Sequence, residues 1–414
     1  MALEQMARNA KAASKVLALS DHVMKNNALK EMAEALLLEK AYLQNENNKD
    51  MQAAKEAHMS KALIDRLLLT DQRIEDMANG LKALCDMPDP IGRVDESWRT
   101  ENGLEISRRS VPLGVILMIY EARPNVTADA AGLCLKSGNA VILRGSRSAL
   151  HSNIAIVSVL KRALAETGIP TDAIQFVEDT DHEVVGELLR MNEWIDLAIP
   201  RGGSGLIQSV VRQASIPVIE TGVGNCHLYI DASADLSKGQ AILLNGKVQR
   251  PGVCNALETL LVHADIADQF LPQALETLKA AGVEIRGCSR TMAYGKDIIA
   301  ASEEDYATEF HDLILAVKIV DSFADAVSHI NRYSSGHSDV IVTDSYSRAQ
   351  AFLNEIDAAC VYVNASSRFS DGSEFGFGAE IGISTQKMHA RGPMGIAALT
   401  SYKYTICGEG QIRE

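Results

Sequence analysis

The chain lacks a close pair of cysteines. Its seven, at 85, 134, 226, 254, 288, 360 and 407, contain no C-x-x-C, which argues against a zinc knuckle or a dithiol redox site. The odd number argues against a disulfide framework. An excess of positive charge is also missing: 40 Lys plus Arg stand against 54 Asp plus Glu, a net charge of −14. Such a surface repels nucleic acid and anionic membranes, so neither is an expected partner. An anionic substrate would need a local basic pocket. No signal peptide is expected, because the first twenty residues interrupt every apolar run with charged or polar groups. The uncharged stretch from Val111 to Tyr120 is about half the length of a membrane span. The expectation is a soluble, cytoplasmic protein. There is no G-K-[ST], no low-complexity linker and no internal repeat.

What is present is bulk and periodicity. With 414 residues, 47% of them hydrophobic, the chain can build large cores and more than one domain. The first ninety residues read as helices. "ALKEMAEALLLEKAYLQNENN" spaces apolar residues by three and four, and Ser60 is a candidate N-cap for the next helical run. Beyond Pro90, short apolar runs alternate with helical stretches. "PLGVILMIY", "NAVILRG", "AIQFVED", "WIDLAIPRG" and "IPVIETG" read as strands, with "TADAAGLCLKSG" a helix capped by Thr127. A second series starts near Leu236, with "LETLLVH", "LAVKIVD", "DVIVTD" and "CVYVNAS" as strands. This alternation indicates α/β architecture with parallel sheets covered on both faces. Two such lobes would place a ligand cleft between them.

Several stretches can carry chemistry, and each also has a plain structural reading. "IPRGGSGLIQSVV" opens a helix with Gly202, Gly203 and Gly205, which suits an anion at a helix N-terminus or an ordinary strand-to-helix turn. Arg144, Ser146 and Arg147 in "ILRGSRS" can grip a phosphate or form a solvated loop. In "YEARPNVTADA", Glu121, Arg123, Pro124 and Asn125 cluster before the helix. Asn125 can donate its amide to an oxyanion or satisfy local backbone. Glu220 ends a strand before Gly222 and Gly224. It can act as a general base, while the glycines can simply let chains cross. Cys226 and His227 are adjacent, so on a strand they face opposite ways and do not form a catalytic pair. The loop 364–382 is long and polar. It holds Ser367 and Arg368, and Arg forms two-pronged contacts with carboxylates. Cys134 and Cys360 sit among apolar residues and read as core. Cys254, in "QRPGVCNALETLLV", lies between a loop and an apolar strand, with Arg250 four residues upstream. It can be a small hydrophobe, half of a disulfide, a metal ligand or a nucleophile.

Taken together, "VPLGVILMIYEARPNVTADAAGLCLKSGNAVILRG", "IPRGGSG", "QRPGVCNALETLLV" and "YVNASSRFSDGSEFGFGAEIGISTQKMHARGPMG" resemble the aldehyde dehydrogenase superfamily. The likeness covers nearly the whole chain after residue 90. It implies an aldehyde dehydrogenase-like α/β fold in three parts. Residues 1–234 would carry the N-terminal helices and a Rossmann-like cofactor domain, residues 235–383 an α/β catalytic domain, and residues 384–414 a return to the cofactor domain. A small oligomerisation segment would combine the hairpin near 100–112 with the C-terminus, making a homo-oligomer. The resemblance also implies NADPH-dependent reduction of L-glutamyl 5-phosphate to L-glutamate 5-semialdehyde with release of phosphate, in L-proline biosynthesis. A glutamate kinase is the implied partner, and no metal is required.

Residue by residue, the resemblance makes Cys254 the nucleophile, since an acyl phosphate must become a thioester before it can accept hydride. Asn125 and the Cys254 N–H are the oxyanion candidates. Arg144 matches a cofactor-ribose lysine, and arginine suits the 2′-phosphate of NADPH, with Ser146 and Arg147 beside it. Gly202, Gly203, Gly205, Glu220 and Gly222 join the cofactor set. Glu309 matches the glutamate that holds the nicotinamide ribose. Arg123, Ser367 and Arg368 are the substrate candidates. Three rivals stand beside this reading: an aldehyde-oxidising dehydrogenase using Glu220 as base, a cysteine hydrolase, and a scaffold with no live site.

Overall fold

The structure, a computed structural model, describes residues 2–413. The chain forms two compact units. The first runs to Glu220 and takes in Gly376–Gly382 and the segment from Met394 onward; the second comprises Thr221–Phe375 and Ile383–Pro393. The divisions expected after 234 and 383 therefore fall elsewhere. The strand Cys226–Ile230 pairs with Leu257–His263 and Ser338–Val342, which fastens it to the second sheet. Ile383–Ser384 pairs with Gly392–Pro393, which returns 384–393 to that unit as well.

Five helices open the first unit: Ala2–Leu17, His22–Leu38, Lys40–Glu56, Lys61–Leu67 and Asp71–Asp86. The helical stretch "ALKEMAEALLLEKAYLQNENN" spans two of them, which part at Glu39. Ser60 does cap its helix, accepting the Leu63 N–H at 3.3 Å. A four-stranded parallel sheet follows, in the order Ile174–Phe176, Ala140–Arg144, Val115–Tyr120, Leu197–Arg201. Every residue of Val115–Tyr120 is buried, as a parallel strand covered on both faces requires. "IPVIETG" forms no strand and makes only a bridge from Val218 to Ala198. Pro217 and Pro200 flank that bridge and lack the N–H groups that would extend the ladder.

The helix expected to begin at Thr127 begins at Asn125, after Pro124 with φ −57°. Proline pre-sets the helical φ, so the turn starts earlier. Thr127 lies inside the helix, buried, donating to Asn153 Oδ1 at 2.9 Å and sharing a 2.7 Å bond with Tyr120. The hairpin near 100–112 is present as Val94–Arg99 against Glu105–Pro112. The C-terminal strand Thr400–Cys407 pairs antiparallel on its other side.

The second unit is built on a seven-stranded, all-parallel sheet. Its order is Ile299–Ala300, Glu284–Gly287, Ile314–Val320, Leu257–His263, Cys226–Ile230, Ser338–Val342, Cys360–Val363. Alternation along the strands feeds two cores. Leu260 and Val262 pack with Leu243, Phe270 and Leu271, from the helices Leu236–Val248 and Ala264–Ala280. Leu261 packs with Phe323, Ile330 and Phe352, from Phe323–Tyr333 and Tyr346–Glu355. Cys134 and Cys360 are buried, in the first and second unit respectively.

In the first unit a buried carboxylate holds a helix end that its own sequence leaves uncapped. Asp50 accepts the N–H groups of His151 and Ser152, at 3.2 and 2.8 Å, and the Ser152 hydroxyl at 2.6 Å. These are first-turn donors of the helix Leu150–Ala165, where negative charge is favourable. Asp50→Ala would leave buried donors unpaired, so it should cost about 3 kcal/mol, read as a lower midpoint in urea unfolding of the intact chain.

Candidate active site

Cys254 sits in the turn between the helix Leu236–Val248 and the strand Leu257–His263, half-buried. Its backbone is pinned from one side by Gly224. A Cβ on Gly224 would lie 1.8 Å from the Cys254 carbonyl oxygen and 2.3 Å from its Cα. Only glycine permits that approach. Of the two readings of Gly222 and Gly224, chain crossing is therefore what the structure displays. A Gly222 Cβ would likewise meet Thr385 at 2.3 Å. The Cys226 thiol donates to the Cys254 carbonyl at 3.2 Å, while His227 faces Asp339 and His329 on the opposite side.

From the other side the loop 364–382 braces the turn. Ser367 is fully buried and donates to the Asn255 carbonyl at 2.7 Å. Asn255 Nδ2 donates to the Ser370 carbonyl at 2.9 Å. Arg368 is half-buried, its Nε donating to Gln249 at 3.1 Å. Burial lowers the Arg368 pKa, and repulsion from Arg250 lowers it further, while Asp371 and Cys254 act in the opposite sense. Two guanidinium groups thus lie near the turn that carries Cys254.

Glu309 completes this unit's set. Its Oε2 lies 3.3 Å from His311 Nε2, and it accepts the Gly224 N–H. Burial pushes its carboxyl up against the pull of His311. Its Oε1 is buried without a hydrogen-bond partner, an acceptor suited to a ribose hydroxyl. Sequence reasoning passed over Lys247 and Glu258, which form a fully buried ion pair at 2.6 Å. The available signal was a lone glutamate in the apolar run "LETLLVH".

In the first unit, Arg144, Ser146 and Arg147 line one cavity of about 560 Å³ with Asp179, Thr180, Asp181 and His182. Arg144 is buried and Nη2 donates to the carbonyls of Thr180 and Asp181, at 2.7 and 3.2 Å. Its Nε has no partner. Arg147 is exposed. The cavity therefore offers donors suited to a phosphate.

The glycines at 202–205 are differently placed. Gly203 donates its N–H to Glu121 Oε2 at 3.2 Å, and a Cβ on Gly202 would collide with Glu121 at 2.6 Å. A carboxylate of this chain thus occupies part of that helix N-terminus, while the space around Gly203 and Gly205 is open. Asn125 is exposed and donates to Asp129 at 2.9 Å. Burial raises Asp129 to about 6, against that bond. Arg123 is exposed in the same turn, and Glu220 is half-buried at the end of the unit.

A family model described as the aldehyde dehydrogenase family matches residues 2–291 and 303–403. The chain belongs to that family, and membership implies a nicotinamide cofactor. Within it, the chain is 59% identical over 402 residues to gamma-glutamyl phosphate reductase of Heliobacterium modesticaldum, covering 97% of this chain and 96% of that one. It is 55% identical over 414 residues to the protein of the same name from Caldanaerobacter subterraneus, covering all of both. The crystal structure of gamma-glutamyl phosphate reductase from Thermotoga maritima matches with a TM-score of 0.98 at 49% identity over the whole of both chains. An acetylating aldehyde dehydrogenase from Geobacillus thermoglucosidasius shares the fold, with a TM-score of 0.72 at 16% identity, covering 100% of this chain and 97% of that one.

Two expectations follow. Gly224→Ala must displace the Cys254 backbone, and misplacement of about 1 Å can cost a hundredfold in rate. Its kcat should fall on that order while far-ultraviolet circular dichroism stays that of a folded protein. The second concerns acid. Burial lowers His337 to about 4, and burial together with His227, Lys318 and Arg332 lowers His329 to about 3. Both stay neutral in the folded chain at pH values where an unfolded chain takes up protons. Stability is therefore full above about pH 6.5 and is lost as the pH falls toward 4, by about 2 kcal/mol per histidine at pH 5. Thermal melts between pH 7 and 5 should show that slope, and His337→Asn should flatten it.

Proposed function

We propose that this protein reduces L-glutamyl 5-phosphate to L-glutamate 5-semialdehyde and phosphate, with Cys254 as nucleophile and NADPH as cofactor. The observation that carries the reading is the full-length likeness to gamma-glutamyl phosphate reductases at 53–59% identity. The Cys254 thiolate attacks the acyl carbonyl, and the C–O bond to phosphate breaks to leave a thioester. NADPH supplies the hydride that reduces the thioester carbonyl. The resulting thiohemiacetal oxyanion re-forms the carbonyl, breaks the C–S bond and returns the thiolate. The Cys254 N–H and the second Asn125 amide hydrogen hold that oxyanion, one Asn125 hydrogen being engaged by Asp129.

The substrate carries a phosphate and an α-carboxylate, and the chain has net charge −14. Arg368 and Arg123 supply the local cations, with Arg250 adding to the potential around Cys254. Ser367 acts through Asn255, fixing the loop. Arg147 and Ser146 take the 2′-phosphate of NADPH, with Arg144 holding the 180–181 segment that walls the cavity and offering Nε. Glu309 takes the nicotinamide ribose, and the open backbone at Gly203 and Gly205 lets the cofactor approach, with Gly202 keeping the turn narrow. The acyl phosphate is a product of carboxylate phosphorylation, so a glutamate kinase in the cytoplasm supplies it. The three-stranded sheet, with Trp98, Tyr402 and Tyr404 exposed on it, is the surface on which copies of the chain associate.

A second reading rests on Glu220, which as a base would activate water for aldehyde oxidation. Phosphate separates the two. Glutamate 5-semialdehyde should drive NADP+ reduction only when phosphate is added, faster than NAD+ reduction, and Cys254→Ala should lose this turnover by several orders of magnitude while remaining folded. Equal rates with and without phosphate would establish the oxidising reading instead.

A further inference from the structure

The second unit buries one ion pair completely. Lys247 Nζ lies 2.6 Å from Glu258 Oε2, and both side chains are 0% exposed. Lys247 lies in the last turn of the helix before the nucleophile turn, and Glu258 is the second residue of the strand after it. The pair therefore closes the base of the segment that carries Cys254. The other Glu258 oxygen accepts the His311 N–H at 3.4 Å. His311 in turn contacts Glu309, Glu309 accepts the Gly224 N–H, and Gly224 lies against the Cys254 backbone. The contacts form a ring that leaves Cys254 on one side and returns to it on the other.

Stability alone does not account for such a pair. Taking two charges out of water costs about as much as their contact returns, and apolar residues of similar volume often serve as well. The surroundings are largely apolar: Leu243 lies one helical turn before Lys247, Leu257 precedes Glu258 on the strand, and Leu260 follows two residues on. Burial raises the Glu258 carboxyl to about 7, against the pull of Lys247 and with Glu309 adding to the rise. Burial lowers Lys247, while Glu258, Asp312 and Cys226 oppose that. Burial thus works against the charged form of both groups, and each partner works against that.

We propose that Lys247 and Glu258 are positioning residues that fix the Cys254 thiol and the Glu309 carboxylate relative to one another. The inference rests on the roles given above to Cys254 and Glu309. It means that nucleophile placement and cofactor-ribose binding are set by the same buried contact.

The double variant Lys247→Met/Glu258→Leu removes both charges and roughly keeps the volume. It should still melt cooperatively. Its kcat should fall about a hundredfold and its KM for NADPH rise about tenfold, and the rate of Cys254 alkylation by iodoacetamide should change several-fold. The control is Lys25→Met/Asp89→Leu, which removes a pair in the first unit that is 1% and 17% exposed. It should move the melting temperature and none of the three rates. A folded Lys247→Met/Glu258→Leu protein with wild-type kcat, KM and alkylation rate would overturn the proposal. Should that variant not fold, Glu258→Gln keeps the volume but removes the carboxylate and breaks the ion pair with Lys247; the same split is expected, and wild-type values there overturn it equally. Alkylation needs neither substrate nor cofactor. If the wild-type protein showed no phosphate-dependent turnover, the functional reading would fail by itself, and the alkylation rates would still decide the role of the pair.

Discussion

The active-site half of this protein depends on one contact that no side chain mediates. Gly224 and Cys254 meet backbone to backbone, closer than any Cβ would allow. A thiol on a free loop would sample many positions, and each would have to be suppressed before reaction. Here the loop cannot relax toward the Cys226–Ile230 strand because it already touches the residues leading into it. Asn255, Ser367 and Ser370 hold it from the far side through main-chain carbonyls. Cys254 is thus positioned by packing of peptide planes more than by its own side chain.

The first unit solves a different problem, placing charge in an acidic protein. Asp50 and Glu121 serve the ends of helices, where backbone N–H groups want an anion. Arg144 is spent largely on backbone carbonyls, so its neighbour Arg147 is the cation left facing solvent. A carboxylate at Gly203 and carboxylates at Asp179 and Asp181 line the regions proposed above to take an anionic ligand. Binding there relies on direction, donor by donor, more than on net potential.

Much of this was legible in the sequence. Apolar runs such as "VILMIY" and "LETLLVH" marked parallel strands, because strands buried on both faces need no alternation. Cys254 stood out through the motif around it and its position before a strand. What could not be read was contact between segments distant in sequence. Nothing in "VIETGVGNC" says that Gly224 meets residue 254. Nothing in "NNKDM" says that Asp50 caps a helix a hundred residues on. "IPVIETG" looked like a strand because its composition is right, and it failed because two prolines removed the ladder donors. Thr127 looked like a cap because capping residues are recognised by type, while Pro124 had already begun the helix. Lys247 and Glu258 were invisible for a related reason: a charged residue in sequence suggests water until its partner is seen.

The interleaving of the two units also bears on how the chain comes off the ribosome. Most of the second unit is one continuous stretch, and its sheet can assemble from neighbours as they emerge. The three-stranded sheet cannot. Its middle strand holds Ser107, which must wait for Thr405, 298 residues later. At about 5–20 residues per second that is a delay of about 15–60 s. Through that interval Glu105–Pro112 has one edge open, next to a hairpin that carries Trp98. An unpaired edge is an invitation to foreign strands. The strand Thr400–Cys407 is therefore what ends that exposure, and a copy lacking it would leave the edge permanently open.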